Sequence, residues 1–297
     1  MREPASSMPV PASNPRVAAA PVDFLVGLSA WSADIPGQPE PLRWEPPTFG
    51  EPSGLAPEDA KVAHQVIDRY KANFQKINSL SFEETQVQTF TDKKLEEDFA
   101  ERKGIDNYTQ TVELRRAPLY YKAQGTGGDG SIINQVVTPA GSFTDGSRGM
   151  PESWIPTYLD GEFLYAPGGI LQLCDRLRRD VPMDLEVPEM AQLGHDPSQT
   201  SNRYDVLEND CPDYGFRRSF WFNRQTGMLD YVIGKKVVKP ASGSDTYEVI
   251  VNSYYEKDGV FYLRKSAALG RECQAKVIRE FHSLVLNGQK VEDPGQQ

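Results

Sequence analysis

The side chains able to do chemistry are few and scattered. His64, His195 and His282 are far apart in the chain, and none falls in a metal-binding spacing such as H-x-x-x-H. Three such histidines give no basis for a Ser-His-Asp arrangement, and no G-x-S-x-G elbow is present. His64 falls on the flank of a helical pattern and His282 within a strand pattern, so both read as structural. The acidic stretch "YDVLENDCPDYG" (204–215) gathers Asp205, Glu208, Asp210 and Asp213. Its spacing departs from a calcium loop in the positions of the glycine and the terminal glutamate, and it reads as a solvated acidic loop. The glycine-rich run 125–130 lacks a following Gly-Lys-Ser/Thr and reads as a hairpin loop, not a phosphate cradle. Cys174, Cys211 and Cys273 form no C-x-x-C pair, which leaves two readings: three buried thiols, or one disulfide and a free thiol. No carboxylate pair stands out as acid and base. The expectation is a protein with no catalytic residues, no metal site and no cofactor.

The totals agree with a binding role. The chain has 297 residues, 38% hydrophobic and 25% charged, with a net charge of −10. An acidic chain of this kind is a poor partner for nucleic acid, whose phosphates need a basic face. It is equally unsuited to anionic headgroups, though not to acyl chains taken into a cavity. The segment "VAAAPVDFLVGLSAWSA" (17–33) follows Arg16 and ends in small residues, but Pro21 and Asp23 interrupt it, so it is a poor export signal.

Twelve of the 23 prolines lie in residues 1–57, which therefore read as a linker or extension; Trp31, Trp44 and Phe49 offer points where it could dock. The folded domain is expected over 58–290, with a polar tail at 291–297. "APEDAKVAHQVIDRYKANFQKI" opens it as a helix. Pro57 suits the first position, Glu58 and Asp59 complement the dipole, and Ala63, Ile67, Tyr70, Phe74 and Ile77 form one apolar stripe. Asn78 ends it. A long series of strands is then expected, over 80–91, 107–116, 118–123, 132–138, 162–166, 203–208, 215–223, 229–238, 246–255, 260–268 and 275–286. "NRQTG" (223–227) and the Asp258-Gly259 pair are hairpin signals, so the sheet is antiparallel. A second helix is expected at 169–179, and surface loops at "GTGGDGSIINQ" and "PAGSFTDGSRGMPESWIP".

Aromatic and branched residues alternate along these strands. Phe216, Phe220 and Phe222 point one way and Trp221 the other; Tyr247, Val249 and Val251 alternate with Glu248, Ile250 and Asn252. Two helices cover only part of so wide a sheet, so the surplus implies strong curvature around a cavity.

The order of elements, with "YLDGEFLYAPGG" (158–169), "FWFNRQTGMLDYVIGKK", "YEVIVNSYYEKDGVFYLRKSAAL" and "FHSLVLNGQ", resembles the outer-membrane lipoprotein-sorting (LolA-like) superfamily over roughly residues 58–290. The 1–57 extension and insertions near 124–157 and 188–201 depart from that pattern. The resemblance implies an α+β fold: a strongly curved antiparallel sheet, an unclosed β-barrel, covered on its concave side by an N-terminal helix and a short mid-chain helix. It implies a monomeric, periplasmic or secreted protein that shelters a lipid or the acyl chains of a lipidated protein. The resemblance carries no contact residue across; strand alternation and the helical stripe nominate Phe82, Val112, Leu114, Phe220, Phe222, Val249 and Val251 as lining residues, with Tyr70 and Phe74 on the lid. The alternative is an envelope sensor or scaffold that binds a protein partner with a cavity filled by its own side chains.

Overall fold

The computed structural model describes residues 54–101, 107–147, 149, 155, 157–160, 167–183, 187–195, 201–211, 215–237, 246–270 and 274–293. Residues 1–53 of the expected extension, the expected strand at 162–166, Asp213 and Cys273 lie outside them.

Helix α1 (Pro57–Gln75) begins with proline at its first turn, carries Glu58 and Asp59 there, and buries Ala63, Val66, Ile67, Tyr70, Asn73 and Phe74 along one stripe. Its last turn closes at Lys76, and the chain passes within three residues into β1 (Ser79–Phe90). Helix α2 (Lys93–Glu101), absent from the sequence reading, leads to β2 (Tyr108–Arg115), β3 (Tyr120–Gly127), β4 (Ile132–Thr138) and β5 (Gly141–Thr144). Short helices α3 (Thr157–Asp160) and α4 (Pro167–Leu173) follow, then β6 (Arg176–Pro182), α5 (Pro188–Gln192), β7 (Arg203–Cys211), β8 (Phe216–Asn223) and β9 (Leu229–Lys236). The chain ends with β10 (Thr246–Lys257), β11 (Val260–Gly270), β12 (Ala275–Leu286) and β13 (Gln289–Lys290).

All strand pairs are antiparallel, in the order β5-β4-β3-β2-β1-β12-β11-β10-β9-β8-β7-β6, with β13 added to β12. The sheet is curved but not closed, and it is covered on its concave side, as the resemblance implies. Its two edges, β5 and β6, are consecutive strands, so the intervening chain carries α3 and α4 onto the face that α1 covers. Strand β1 joins the halves, pairing β2 on one side and β12 on the other. The Asp258-Gly259 turn has both residues at positive φ, 51° and 71°, the mirror-image turn that matches strand twist.

Three expectations are corrected. The helix expected at 169–179 stops at Leu173: Asp175 donates its N–H to the Glu208 carbonyl (2.9 Å), and Arg176–Pro182 pairs with β7 as an edge strand. Leu177 has the helical spacing of Ile170, Leu171 and Cys174, but it sits directly opposite Leu207 on the adjacent strand. The glycine-rich run turns a β3–β4 hairpin, as expected, but strands rather than loop occupy both ends of "GTGGDGSIINQ"; Gly125 lies inside β3, where a Cβ would come within 2.1 Å of the Thr109 carbonyl. The acidic stretch 204–211 is strand β7. Its acids are matched to arginines, Glu208 with Arg178 (2.8 Å) and Asp210 with Arg217 (2.8 Å).

The sheet carries two cores. The helix-covered inner face gathers Phe82, Val112, Leu114, Phe220, Phe222, Val232, Ile250, Tyr262 and Phe281 with Tyr70, Phe74 and Ile77. The outer face gathers Tyr204, Val206, Trp221, Tyr231, Ile233, Val249 and Leu269 beneath Met183, Val187, Met190 and Leu193 of the α5 segment.

Candidate ligand-binding face

The inner face is built from strand alternation. On β1, Leu80, Phe82, Glu84, Gln86 and Gln88 all turn inward, while Val87 turns out and is 50% exposed. The strand therefore changes chemistry midway, apolar near α1 and polar beyond it. The apolar part is aromatic: the ring of Phe82 lies 5.2 Å from Phe281, 5.7 Å from Tyr158 and 5.8 Å from Tyr262. On the other half of the sheet Tyr70 meets Phe222 edge-on at 5.8 Å and Phe74 at 5.0 Å.

Beyond the aromatic floor runs a polar band. Cross-strand neighbours place Gln110 beside Glu84, then Gln86, Arg279, Ser266 and Asn252 in a row over β1, β12, β11 and β10. All are buried. Glu84 and Arg279 form an ion pair through both guanidinium Nε (2.9 Å) and Nη2; Glu84 also accepts from Tyr108 (2.8 Å), Gln110 (2.8 Å) and Tyr158 of α3 (3.0 Å). Burial pushes the Glu84 carboxyl up, but the Arg279 charge and these hydrogen bonds outweigh it and hold the carboxyl below its ordinary range. A second buried pair, Arg218–Glu248, lies two rows further, and Gly234 beside it leaves the space that the Glu248 side chain fills, since a Cβ there would come within 2.7 Å of Glu248 Cγ.

The covering helices are fastened by polar clamps. Asn73 of α1 exchanges two hydrogen bonds with the Phe261 backbone, 2.7 Å to its carbonyl and 2.8 Å from its N–H. Arg69 donates to the Arg224 carbonyl (3.1 Å), and Arg116 donates to Phe74 and Leu159, tying α1 to α3. Asn73→Ala removes both bonds to Phe261 and leaves its backbone groups facing a buried surface. It is expected to lower stability by about 1–3 kcal/mol, and to raise amide exchange in α1 above the rest of the chain when hydrogen exchange is followed by mass spectrometry.

Of the nine expected lining residues, the structure brings seven together here: Tyr70, Phe74, Phe82, Val112, Leu114, Phe220 and Phe222. Val249 and Val251 are on the outer face, Val249 in the second core and Val251 packed against it. On β10 it is Glu248, Ile250 and Asn252 that turn inward, as their cross-strand partners require. Glu84, Arg279, Asn73 and Tyr158 were not foreseen; the one signal was the run of polar residues at inward positions of β1.

Elsewhere, an outer groove of about 460 Å³ over β1, β2 and β3 has a mixed lining that includes Glu83, Thr111, Lys122, Gln124 and Val285. His195 is hydrogen-bonded to the Tyr231 hydroxyl (3.0 Å), and His282 is 4.0 Å from Glu280. Among the described residues no group of three or more His, Cys, Asp or Glu is placed to hold a metal. The Cys174 thiol is buried, donates to the Arg176 carbonyl, and is pushed up to about 11, chiefly by burial.

Asp230, on β9, accepts from Asn223 (2.9 Å) and Tyr204 (3.2 Å), and burial raises it to about 6. A carboxyl whose folded value is raised binds its proton more tightly when folded, so stability falls as pH rises from about 4 through 6. Asp230→Asn is expected to leave stability unchanged near pH 4 and to raise it by on the order of 1–2 kcal/mol at pH 8. Urea titrations at the two pH values check this.

No family model and no curated protein matches this sequence. Among solved structures, a DUF1329 family protein from Desulfovibrio piger is similar at 12% identity over 76% of this chain and 92% of its own, with a TM-score of 0.37. A LolA superfamily protein from Nitrosomonas europaea is 10% identical over 78% and 94%, TM-score 0.37. The lipoprotein LppX of Mycobacterium tuberculosis is 9% identical over 75% and 95%, TM-score 0.29. Identities and TM-scores this low transfer neither ligand nor activity.

Proposed function

We propose that this chain is a non-catalytic binding protein of the cell envelope that shelters an apolar chain between the inner face of its sheet and the α1–α3–α4 cover. The carrying observation is how the cover is attached. α1 is covalently continuous with the sheet only through Ile77–Ser79; elsewhere it rests on an aromatic floor, a few side-chain-to-backbone clamps and the Arg69–Asp205 ion pair (3.8 Å). When the cover lifts, a hydrocarbon chain replaces one apolar surface with another. The exchange costs little, since apolar area leaves water at about 25 cal/mol per Å² whichever partner covers it. The clamps then set the opening equilibrium. The protein works as a monomer in this reading, with a lipid or a lipidated protein as its partner.

A second reading, a scaffold that binds protein, is favoured by one observation. In the closed form the floor is filled by its own side chains, with Phe82 at 3% and Phe222 at 0% exposure. Edge strand β5 meanwhile presents Phe143 to solvent.

Native and denaturing mass spectrometry of protein purified from an envelope-competent host separates the two. A stoichiometric lipid released on unfolding supports the carrier. Absence of lipid, with no uptake of a fluorescent acyl probe, overturns it in favour of the scaffold.

A further inference from the structure

Resting on the carrier reading, we infer that the ligand is an amphiphile whose uncharged, hydroxyl-bearing head is seated on the polar band Gln110–Glu84–Arg279–Ser266–Asn252, with its hydrocarbon along the aromatic floor.

The band has no role in holding an apolar chain, yet it is buried at the centre of the face that would receive one. Asn252 is 7% exposed; its amide N–H donates to the Leu229 carbonyl (2.9 Å), while its Oδ1 accepts no hydrogen bond from the described residues. A buried acceptor of this kind calls for a donor. Glu84 supplies a second acceptor in the open form. Its Oε2 is shared by Gln110 of the sheet and Tyr158 of α3, so lifting the cover withdraws the Tyr158 hydroxyl and leaves room for another donor. Arg279 neutralises Glu84 from the opposite side, with both Nε and Nη2 on Oε1. The pair therefore presents acceptor oxygens without an uncompensated cation. An anionic head would meet the Glu84 carboxylate and bring no donor; a glycerol or other polyol head brings the hydroxyl that Asn252 Oδ1 lacks, and a longer polyol reaches along the band to the Glu84 oxygen that Tyr158 vacates.

The test is competition on the full chain at pH 7.5. A fluorescent acyl probe is displaced by monoolein, methyl oleate or oleate, each delivered from cyclodextrin. These share one hydrocarbon and differ in the head. Monoolein is expected to compete at least about tenfold better than methyl oleate, because a site built around hydrogen bonds rejects the analogue that lacks them. Asn252→Ala is expected to shrink that ratio by several-fold. Tyr158→Phe, which removes one methyl-sized polar group and no packing, is expected to tighten monoolein while keeping the ratio. Equal competition by monoolein and methyl oleate overturns the head-group inference and leaves the carrier reading intact. Stronger competition by oleate also overturns it, and points to Arg279 as an anion receptor. Failure of the probe itself to bind removes the carrier reading and the inference together.

Discussion

Arg279→Met is expected to destabilise the protein by about 3–5 kcal/mol at neutral pH, because buried Glu84 loses its counter-ion and must take up a proton on folding. In the parent, Glu84 has a lowered folded value, so its contribution is present above the unfolded glutamate range and is lost as pH falls through the folded value. In the variant the order reverses. Burial is the largest remaining influence, and it raises the carboxyl, so Glu84 is expected to be neutral in the folded chain. Stability of the variant then falls as pH rises above about 4, where the unfolded chain ionises. The deficit against the parent is therefore widest near pH 7 and narrowest in acid. Urea unfolding at pH 4 and pH 7 reads this directly, and an equal deficit at both would mean that the pair is not ionised. The double variant Glu84→Gln/Arg279→Met is expected to recover much of the loss at pH 7, since no carboxyl then has to be protonated on folding.

Phe82→Ala and Trp221→Ala should cost similar stability and differ in everything else. Each side chain is almost fully buried, so each truncation is expected to cost about 3–5 kcal/mol from lost transfer energy and the cavity left behind. Phe82 lies at the centre of the aromatic floor, touching rings from β11, β12 and α3. Its removal opens space under the cover, and acyl-probe affinity is expected to rise or to shift towards bulkier chains. Trp221 faces outward, edge-on to Tyr204 and with its N–H on Ser219 (2.9 Å) beneath α5. Its loss is expected to lower the unfolding midpoint and leave probe affinity unchanged. Binding that responds to Trp221 and ignores Phe82 would move the site to the outer face.

Helix α1 and the hairpin at Asp258-Gly259 were legible because each is local: a 3.6-residue stripe with an acidic first turn, and a turn that demands positive φ. The unclosed antiparallel sheet followed from such hairpins and from the resemblance. Strand β10 was read with the wrong side inward. Val249 and Val251 look like the core side and Glu248 and Asn252 like the wet side, but both faces of this sheet are covered, and alternation then ceases to mark the inside. The buried charge escaped for a related reason. Glu84 among Gln86 and Gln88 reads as a solvated phase of β1, and only pairing with Arg279, 195 residues further on, makes it an interior group. Edge strand β6 and helix α5 were missed because an arginine-rich edge and a five-residue helix carry almost no periodic signal.

The pairing of β1 with β12 also governs when this fold can come into being. During synthesis β1 is made among the first of the strands, but its neighbour is completed only at Leu286. Until then one edge of β1 is bare and Glu84 has no guanidinium beside it. The hairpins β7–β8–β9 and β10–β11 involve near neighbours and can form as they emerge, whereas joining the halves must await β12. A nascent chain halted near residue 270 would therefore display an open strand edge with an unpaired acid beneath it. That makes the incomplete polypeptide prone to association through its bare edge, and it makes the emergence of β12 the event that commits the sheet to its final shape.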